Sequence, residues 1–419
     1  MLVHIQVLRF FAAVAVVAFH ALGLAPEGFK VPESAISFAM SYGGRGVDLF
    51  FVISGFIIFY ATHRAKLTPA EFLRRRVERI VPLYFFVIFA VTILAMTLPA
   101  TFGTPGWYTP RHILKSLAFI AFTDGEMPVV YVGWSLEYEM YFYLTVALLM
   151  VLTRDVWRNI VMIFSALAMV GRIPGVDAAL GNYAFFADPM ILEFVLGVIV
   201  GSAFVNGRVG WPLAVAAACA IAAVLVTDPA NRVIVSGVPS ACLVAAAAFV
   251  SRKRIDPSWP ELALARLGDA SYSIYLAQVE TVSLASTSIA GLIPAIPPLL
   301  LVVVTSGIVV ALGLLLNILV ERPLLKLGRR LGGPRPPQAQ LVARISEAIP
   351  PAAQQASLLR PAPNANPRSL HPCHRRQPPD LAIPVSLQER IVVPEGKAAV
   401  GIAVGAEHVG VCEQARICP

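Results

Sequence analysis

The sequence predicts an all-α fold, a polytopic bundle of transmembrane helices with about ten spans and with both the N- and C-termini in the cytoplasm. Of the 419 residues, 57% are hydrophobic and only 14% are charged, whereas soluble domains carry about a quarter charged residues. A soluble fold of this length cannot bury so much apolar surface, so the composition excludes a soluble enzyme. Uncharged stretches recur between short polar loops, which indicates helices because the strands of a membrane barrel alternate over about ten residues.

Ten apolar segments are long enough, together with neighbouring loop residues, to cross a bilayer. The first contains Arg9 and His20 and has no A-x-A cleavage pattern, so we predict a retained helix and not a signal peptide. The apolar segment 112–123 is too short to span and is predicted to be re-entrant or interfacial. The ten predicted spans are residues 5–25, 46–62, 80–99, 132–152, 159–171, 190–205, 211–227, 234–250, 270–291 and 298–319.

Lysine and arginine residues set the orientation of these helices, because cytoplasmic loops carry an excess of both. With the N-terminus inside, the inner loops and residues 320–331 after the last span hold 17 of them, and the outer loops hold six. The net charge of +8 is therefore explained by membrane topology, and we predict no nucleic-acid partner.

The composition changes near Gly332. Residues 332–419 contain 14 of the 33 prolines and no apolar run of span length, so this segment cannot bury enough surface to offset its ordering entropy. We predict a transmembrane domain over residues 1–331 and a Pro-rich, disordered cytoplasmic tail over residues 332–419. The five cysteines form no C-x-x-C pair, which predicts neither a disulfide framework nor a metal site.

Arg9 and His20 are predicted to share one face of the first helix. Eleven residues turn a helix by three turns plus about 20° and separate the two side chains by about 16 Å along its axis. A guanidinium group near the cytoplasmic end with an imidazole deeper in the membrane suits a long anionic ligand whose reactive end reaches inward. The alternative is that Arg9 extends to the interface and His20 only contacts a neighbouring helix.

A basic run leads into the third span. Arg75, Arg76 and Arg79 are spaced to line one side of a helix, and guanidinium groups at that spacing suit phosphates. The alternative is that this run only holds lipid headgroups at the inner surface.

Carboxylates interrupt the second and fourth spans at Asp48, Glu137 and Glu139. Such groups can orient His20 or hold a hydroxyl-bearing acceptor. The alternatives are that Asp48 pairs with Arg45, three residues before it, and that Glu137 faces water at the interface.

Seven motifs, in order over about residues 1–330, together resemble acyltransferase family 3, a family of integral membrane proteins that O-acylate bacterial surface polysaccharides and related acceptors. Each motif alone is weak, but their joint order is specific, and within the fourth motif the resemblance singles out Glu139 over Glu137. The motifs are R-x10-H (Arg9, His20), G-V-D-L-F-F-V-I-S-G-F (46–56), R-R-x-x-R-I-x-P-x-Y (75–84), W-S-L-x-x-E-x-x-F-Y (134–143), E-F-x-L-G (193–197), Y-S-I-Y-L (272–276) and E-x-P (321–323).

The resemblance implies an enzyme of the bacterial inner membrane that takes an acyl group, most commonly acetyl, from cytoplasmic acyl-CoA and needs no other cofactor and no metal. The acceptor is a hydroxyl, typically of a polysaccharide. Arg75, Arg76 and Arg79 would hold the CoA phosphates and Arg9 would guide the donor inward. His20 would act as the general base, oriented by Asp48 or Glu139; direct attack is preferred over a covalent acyl-His20 intermediate.

Two departures from the family pattern are visible. The family commonly has a histidine at the position of Gln278, so no role is carried over to that residue. The tail beyond residue 332 matches nothing in the family, and we expect the membrane-only form, without the periplasmic domain of longer members.

Two rival functions remain open at this point. The acceptor in an acyl transfer could instead be a lipid or a small metabolite. A transporter or flippase would use Arg9, His20, Asp48 and Glu139 as a proton or substrate path, but no inverted repeat supports it.

Overall fold

A computed structural model of the chain describes residues 2–24, 34, 37, 42–65, 67–97, 107–205, 232–254 and 256–331. The described residues form helices and turns and contain no strand, which confirms the all-α class. The α-helices are α1 (Val3–Gly23), α2 (Gly46–Ala65), α3 (Pro69–Thr97), α4 (Pro110–Leu117), α5 (Trp134–Leu152), α6 (Val156–Val170), α7 (Val176–Leu180), α8 (Ile191–Val205), α9 (Val238–Lys253), α10 (Trp259–Asp269), α11 (Ser271–Leu292), α12 (Pro298–Leu316) and α13 (Arg322–Leu331).

Helices overlap every predicted span except 211–227, which lies outside the described residues, as does the predicted tail over 332–419. Among the described residues, seven helical segments are long and apolar enough to cross a membrane: Val3–Gly23, Gly43–His63, Pro69–Thr97, Tyr131–Leu152, Val176–Val205, Val233–Lys253 and Pro298–Gly328. The total of ten spans and the cytoplasmic placement of the termini stay predictions. Within the segment 112–123, α4 is only eight residues long, too short to cross a bilayer.

Helix α1 packs against α2, α9, α10, α11 and α12. Its buried face is built from small or branched side chains, among them Ala12, Ala13, Val17 and Ala21. Small residues let helix backbones approach closely, which is how helices associate where lipid removes the hydrophobic drive between them. Arg9 and His20 therefore lie on a helix that several others surround.

Glycines set the contact between α2 and α8. A Cβ atom added to Gly55 would lie 2.1 Å from the carbonyl oxygen of Phe194, and one added to Gly197 would lie 2.1 Å from that of Val52. These distances are far below van der Waals contact, so the G-x-x-x-G of α8, formed by Gly197 and Gly201, serves helix packing.

Replacing Gly197 with alanine is expected to lower the free energy of unfolding by about 1–3 kcal/mol, because the added methyl group overpacks the α2–α8 contact. Gly307→Ala is the matched control, since no atom lies within 4 Å of a Cβ atom added there. Thermal unfolding in detergent measures both variants. Equal midpoints for the two would contradict the close-packing argument.

A carboxylate ties the start of α1 to α10. Glu261 accepts hydrogen bonds from the backbone N–H and the hydroxyl of Ser258, at 2.5 and 2.8 Å. His4 Nε2 lies 3.2 Å and Arg254 Nη1 2.8 Å from its other oxygen. The Ser258 hydrogen bonds, with smaller contributions from His4 and Arg254, lower the pKa of Glu261 to about 2.

This lowered pKa predicts an acid-dependent loss of stability. The ordinary pKa of the carboxyl is 4.5, so its stabilising contribution is complete above that pH and is lost as the pH falls toward the folded-state value. Unfolding midpoints measured from pH 6 down to about pH 3 should therefore fall more steeply for the wild type than for Glu261→Gln. Parallel curves would contradict the assignment.

Candidate active site

The His20 imidazole is anchored by the backbone of its own helix. Its Nδ1 atom lies 3.0 Å from the carbonyl oxygen of Val16. A carbonyl oxygen only accepts hydrogen bonds, so Nδ1 carries the proton and the neutral ring keeps its lone pair on Nε2. The ring makes edge contacts with Phe19 and Tyr131, at centroid distances of 5.1 and 6.1 Å. His20 is thus held in the Nδ1-protonated tautomer, in which Nε2 can accept a proton.

The predicted contact from Asp48 or Glu139 to His20 is wrong, because Val16 occupies Nδ1 and both carboxylates bind other groups. Asp48 is fully buried on α2 and accepts two hydrogen bonds from Arg232, from Nε at 2.9 Å and from Nη2 at 3.0 Å. Arg232, and not Arg45, is therefore the hydrogen-bonded partner of Asp48. Glu193 of α8 is also fully buried and lies close enough to interact with both charges.

Glu139 joins the second and fourth motifs. Its Oε1 atom accepts a hydrogen bond from Ser54 Oγ of α2 at 2.8 Å and another from the Tyr143 hydroxyl one turn along α5. It also lies within electrostatic range of Arg9. The carboxylate therefore faces the bundle interior, beside the arginine of α1.

Glu137 has a different position. It is buried and accepts a hydrogen bond from the backbone N–H of Ala121 at 2.7 Å. The alternative that Glu137 faces water is therefore wrong. It secures the turn that precedes α5.

The three predicted donor-binding arginines lie on α3, which begins at Pro69 and carries the basic run into the span. Arg75 pairs with Glu71 one turn earlier, and Arg76 lies over the ring of Tyr143 at 6.0 Å. Arg79 Nη1 donates to Glu321 Oε1 at 2.7 Å. Each arginine thus has a protein partner, and their role toward a donor stays a prediction.

Glu321 is a hub that the sequence analysis did not single out. It is buried, with 1% of its surface exposed, and accepts hydrogen bonds from Arg79, from Ser273 Oγ at 2.5 Å and from Asn317 Nδ2 at 2.7 Å. It joins the R-R-x-x-R, Y-S-I-Y-L and E-x-P motifs. The sequence signal that indicates it is a carboxylate within an otherwise apolar helix, because a carboxylate in that position needs hydrogen-bonding partners.

Arg9 lies within electrostatic range of Arg79, Glu139 and Glu321. These four residues are here called the arginine–carboxylate cluster. Asp269 adds a further carboxylate within electrostatic range of Arg9, so the two positive charges are compensated in an interior that penalises isolated charge. The candidate site thus runs along α1, from this cluster to His20, about 16 Å further along the helix.

Replacing Glu321 with glutamine is expected to lower the free energy of unfolding by about 1.5–3 kcal/mol, because three donors lose a charged acceptor. The control is Glu71→Gln, which removes a partly exposed pair spaced four residues apart on one helix, worth about 0.3–0.5 kcal/mol. Unfolding in detergent compares the two variants. A Glu321→Gln variant as stable as the control would contradict the hub.

Comparison with known proteins identifies the family of this chain. Residues 2–318 match the family model described as an acyltransferase domain. The exopolysaccharide production protein ExoZ of Rhizobium meliloti (strain 1021) is 34% identical over 314 residues, which cover 68% of this chain and 91% of that protein. The acyltransferase MdmB of Streptomyces mycarofaciens is 29% identical over 301 residues, 64% of this chain and 76% of that protein. No solved structure matches the chain.

The family match, over residues 2–318, spans most of the chain and covers six of the seven motifs; E-x-P at 321–323 lies just beyond it. Several of the chain's helices are long and apolar enough to cross a membrane. This protein therefore belongs to acyltransferase family 3 and is a multi-pass membrane O-acyltransferase.

Proposed function

We propose that this enzyme lies in the bacterial inner membrane and transfers an acyl group, with acetyl as the first candidate, from acyl-CoA to a hydroxyl of a cell-surface or exported polysaccharide. The observation that carries the proposal is the state of His20, whose Nδ1 is held by Val16 O at 3.0 Å and whose Nε2 keeps a lone pair. The similarity to a protein named for exopolysaccharide production supports the class of acceptor.

The donor is proposed to enter at the arginine–carboxylate cluster. Arg75, Arg76 and Arg79 line the start of α3, where guanidinium groups can hold the phosphates of CoA. Arg9 lies nearby and marks the start of the face that leads to His20. An extended pantetheine arm reaches a distance of about 16 Å, the separation of these two α1 residues.

In the proposed reaction, His20 Nε2 takes the proton of the acceptor hydroxyl while the oxygen attacks the thioester carbonyl carbon. The C–S bond then breaks, and the thiolate of CoA takes the proton back from Nε2. Glu139 and Asp48 are proposed to hold the charges of Arg9 and Arg232 in place, since neither contacts the imidazole. Direct attack is preferred over an acyl-His20 intermediate.

The test is deletion of the gene in its source organism, followed by complementation with the wild type. Proton NMR of the isolated surface polysaccharide measures base-labile acyl esters. We expect the esters to vanish on deletion and to return with the gene. Esters that are unchanged by deletion would exclude the polysaccharide as acceptor, and lipids or small metabolites would then be examined for the same loss.

A biochemical arm tests the donor. The purified full-length chain in lipid nanodiscs is mixed with acetyl-CoA and with polysaccharide from the deletion strain. Release of free CoA thiol that depends on this polysaccharide is the expected result. The donor would not be an acyl-CoA if the gene restores acyl esters in cells but the purified chain releases no thiol. That result would have to hold for acetyl-CoA and for longer acyl-CoAs.

A further inference from the structure

A polar side chain interrupts the apolar face of α11 that packs on α1. Ile274, Gln278 and Val282 recur at intervals of four residues and so lie on one helix face, and all three are fully buried. Ile274 and Val282 belong to an apolar cluster that also contains Ala13, Val17 and Ala21 of α1. The amide of Gln278 therefore occupies a position where an apolar side chain would complete the packing.

Neither polar atom of this amide makes a hydrogen bond of good geometry to another of the described residues. Both Nε2 and Oε1 of Gln278 are buried and unpaired, which costs free energy because each loses its hydrogen bonds to water. The amide lies within hydrogen-bonding reach of the His20 imidazole and acts on it, but this contact does not have the geometry of a full hydrogen bond. A polar group kept at such a cost, next to the base, indicates a partner that arrives with the substrate.

The proposed reaction creates a need for a hydrogen-bond donor at this place. When the hydroxyl oxygen attacks the thioester, the carbonyl π electrons move to oxygen and leave it negatively charged. Donors aimed at that oxygen usually give the largest single contribution to catalysis of acyl transfer. His20 lies within α1, where backbone N–H groups are used by the helix itself, so a side chain of a neighbouring helix is a suitable donor.

We propose that Gln278 is a catalytic residue whose Nε2 donates a hydrogen bond to the thioester carbonyl oxygen and to the oxyanion formed from it. The inference rests on the proposed function. The acceptor O–H proton moves to His20 Nε2 and the new C–O bond forms as the carbonyl oxygen becomes negative. The C=O bond then re-forms, the C–S bond breaks, and the thiolate leaves with the proton from Nε2.

The test uses the purified full-length chain in nanodiscs, with acetyl-CoA and polysaccharide from the deletion strain as substrates. Gln278→Met preserves the shape and removes the amide. We expect kcat for thiol release to fall about 10²–10³-fold, with little change in the KM for acetyl-CoA. The thermal midpoint should stay unchanged or rise, because an unpaired buried amide has been removed.

The matched control is Thr92→Val on α3, which removes another buried and unpaired polar group and should leave kcat unchanged. Gln278→His supplies a ring N–H donor, and its kcat should be much closer to that of the wild type than the kcat of Gln278→Met. If Gln278→Met does not fold, the kcat of Gln278→His is compared with the wild type instead. A folded Gln278→Met enzyme with wild-type kcat would overturn the inference. A wild-type enzyme without thiol release would overturn the proposed function itself, so the two failures are distinguishable.

Discussion

Replacing His20 with glutamine is expected to lower the rate of acyl transfer by about 10²–10⁴-fold, the usual contribution of a general base. Glutamine retains polarity and approximate size but has no group that accepts a proton at neutral pH. The reason for expecting so large an effect is structural, since Val16 O holds Nδ1 at 3.0 Å and so leaves Nε2 as the basic atom. Polysaccharide-dependent thiol release and ester content measured by proton NMR provide two independent readouts.

The matched control for His20 is His63→Gln. His63 is an exposed histidine near the C-terminal end of α2. Its ring stacks on Phe59 at a centroid distance of 5.6 Å. Membrane levels of both variants must equal that of the wild type. Equal ester content for His20→Gln and His63→Gln would show that His20 is a packing residue, and the mechanism would be wrong.

Replacing Arg232 with alanine is expected to lower the free energy of unfolding by about 1–3 kcal/mol, because the buried Asp48 carboxylate loses its donor. The Arg232 side chain is 46% exposed, so the loss is smaller than for a fully buried ion pair. Asp48 is fully buried and takes both of its strong hydrogen bonds from Arg232. Without the guanidinium group, two buried carboxylates, Asp48 and Glu193, would face each other uncompensated. Thermal and denaturant unfolding in detergent measures the loss.

A second variant separates charge from packing. The pair Asp48→Asn with Arg232→Gln removes both charges and should recover most of the lost stability, since neither of the two residues is then an unpaired charge. Arg172→Ala, an exposed arginine, is the control and should be neutral. An Arg232→Ala variant as stable as this control would contradict the buried ion pair. If the charge-free pair folds but is inactive, the ion pair itself contributes to activity beyond its effect on stability.

Much of the fold follows from local pattern. Apolar segments of span length predicted helices that the structure contains, and the basic run before residue 80 lies on the same helix as the span it precedes, α3. Local geometry also placed Arg9 and His20 on one face of α1, because both lie within one helix and its period relates them.

The partners of the buried charges did not follow from the sequence. Asp48 and Arg232 are 184 residues apart, and Arg79 meets Glu321 at a separation of 242 residues. A sequence pattern favours partners three or four residues away, as in the expectation that Asp48 pairs with Arg45. The motifs included Glu321 without indicating that it holds three of them together.

The sequence by itself determined that this protein is a membrane-embedded bundle of helices, and it predicted that Arg9 and His20 share one helix face, because hydrophobic length and helical period are local properties. Only the tertiary structure decided which charge compensates which, that a backbone carbonyl of α1 sets the tautomer of His20, and that Gln278 lies beside it unpaired. The ion pairs and the position of Gln278 depend on contacts between helices that are distant in sequence. The His20 contact depends on which nearby acceptor the ring reaches. They depend on how the helices pack, because a buried polar group must find its partner among whatever the packing brings within reach.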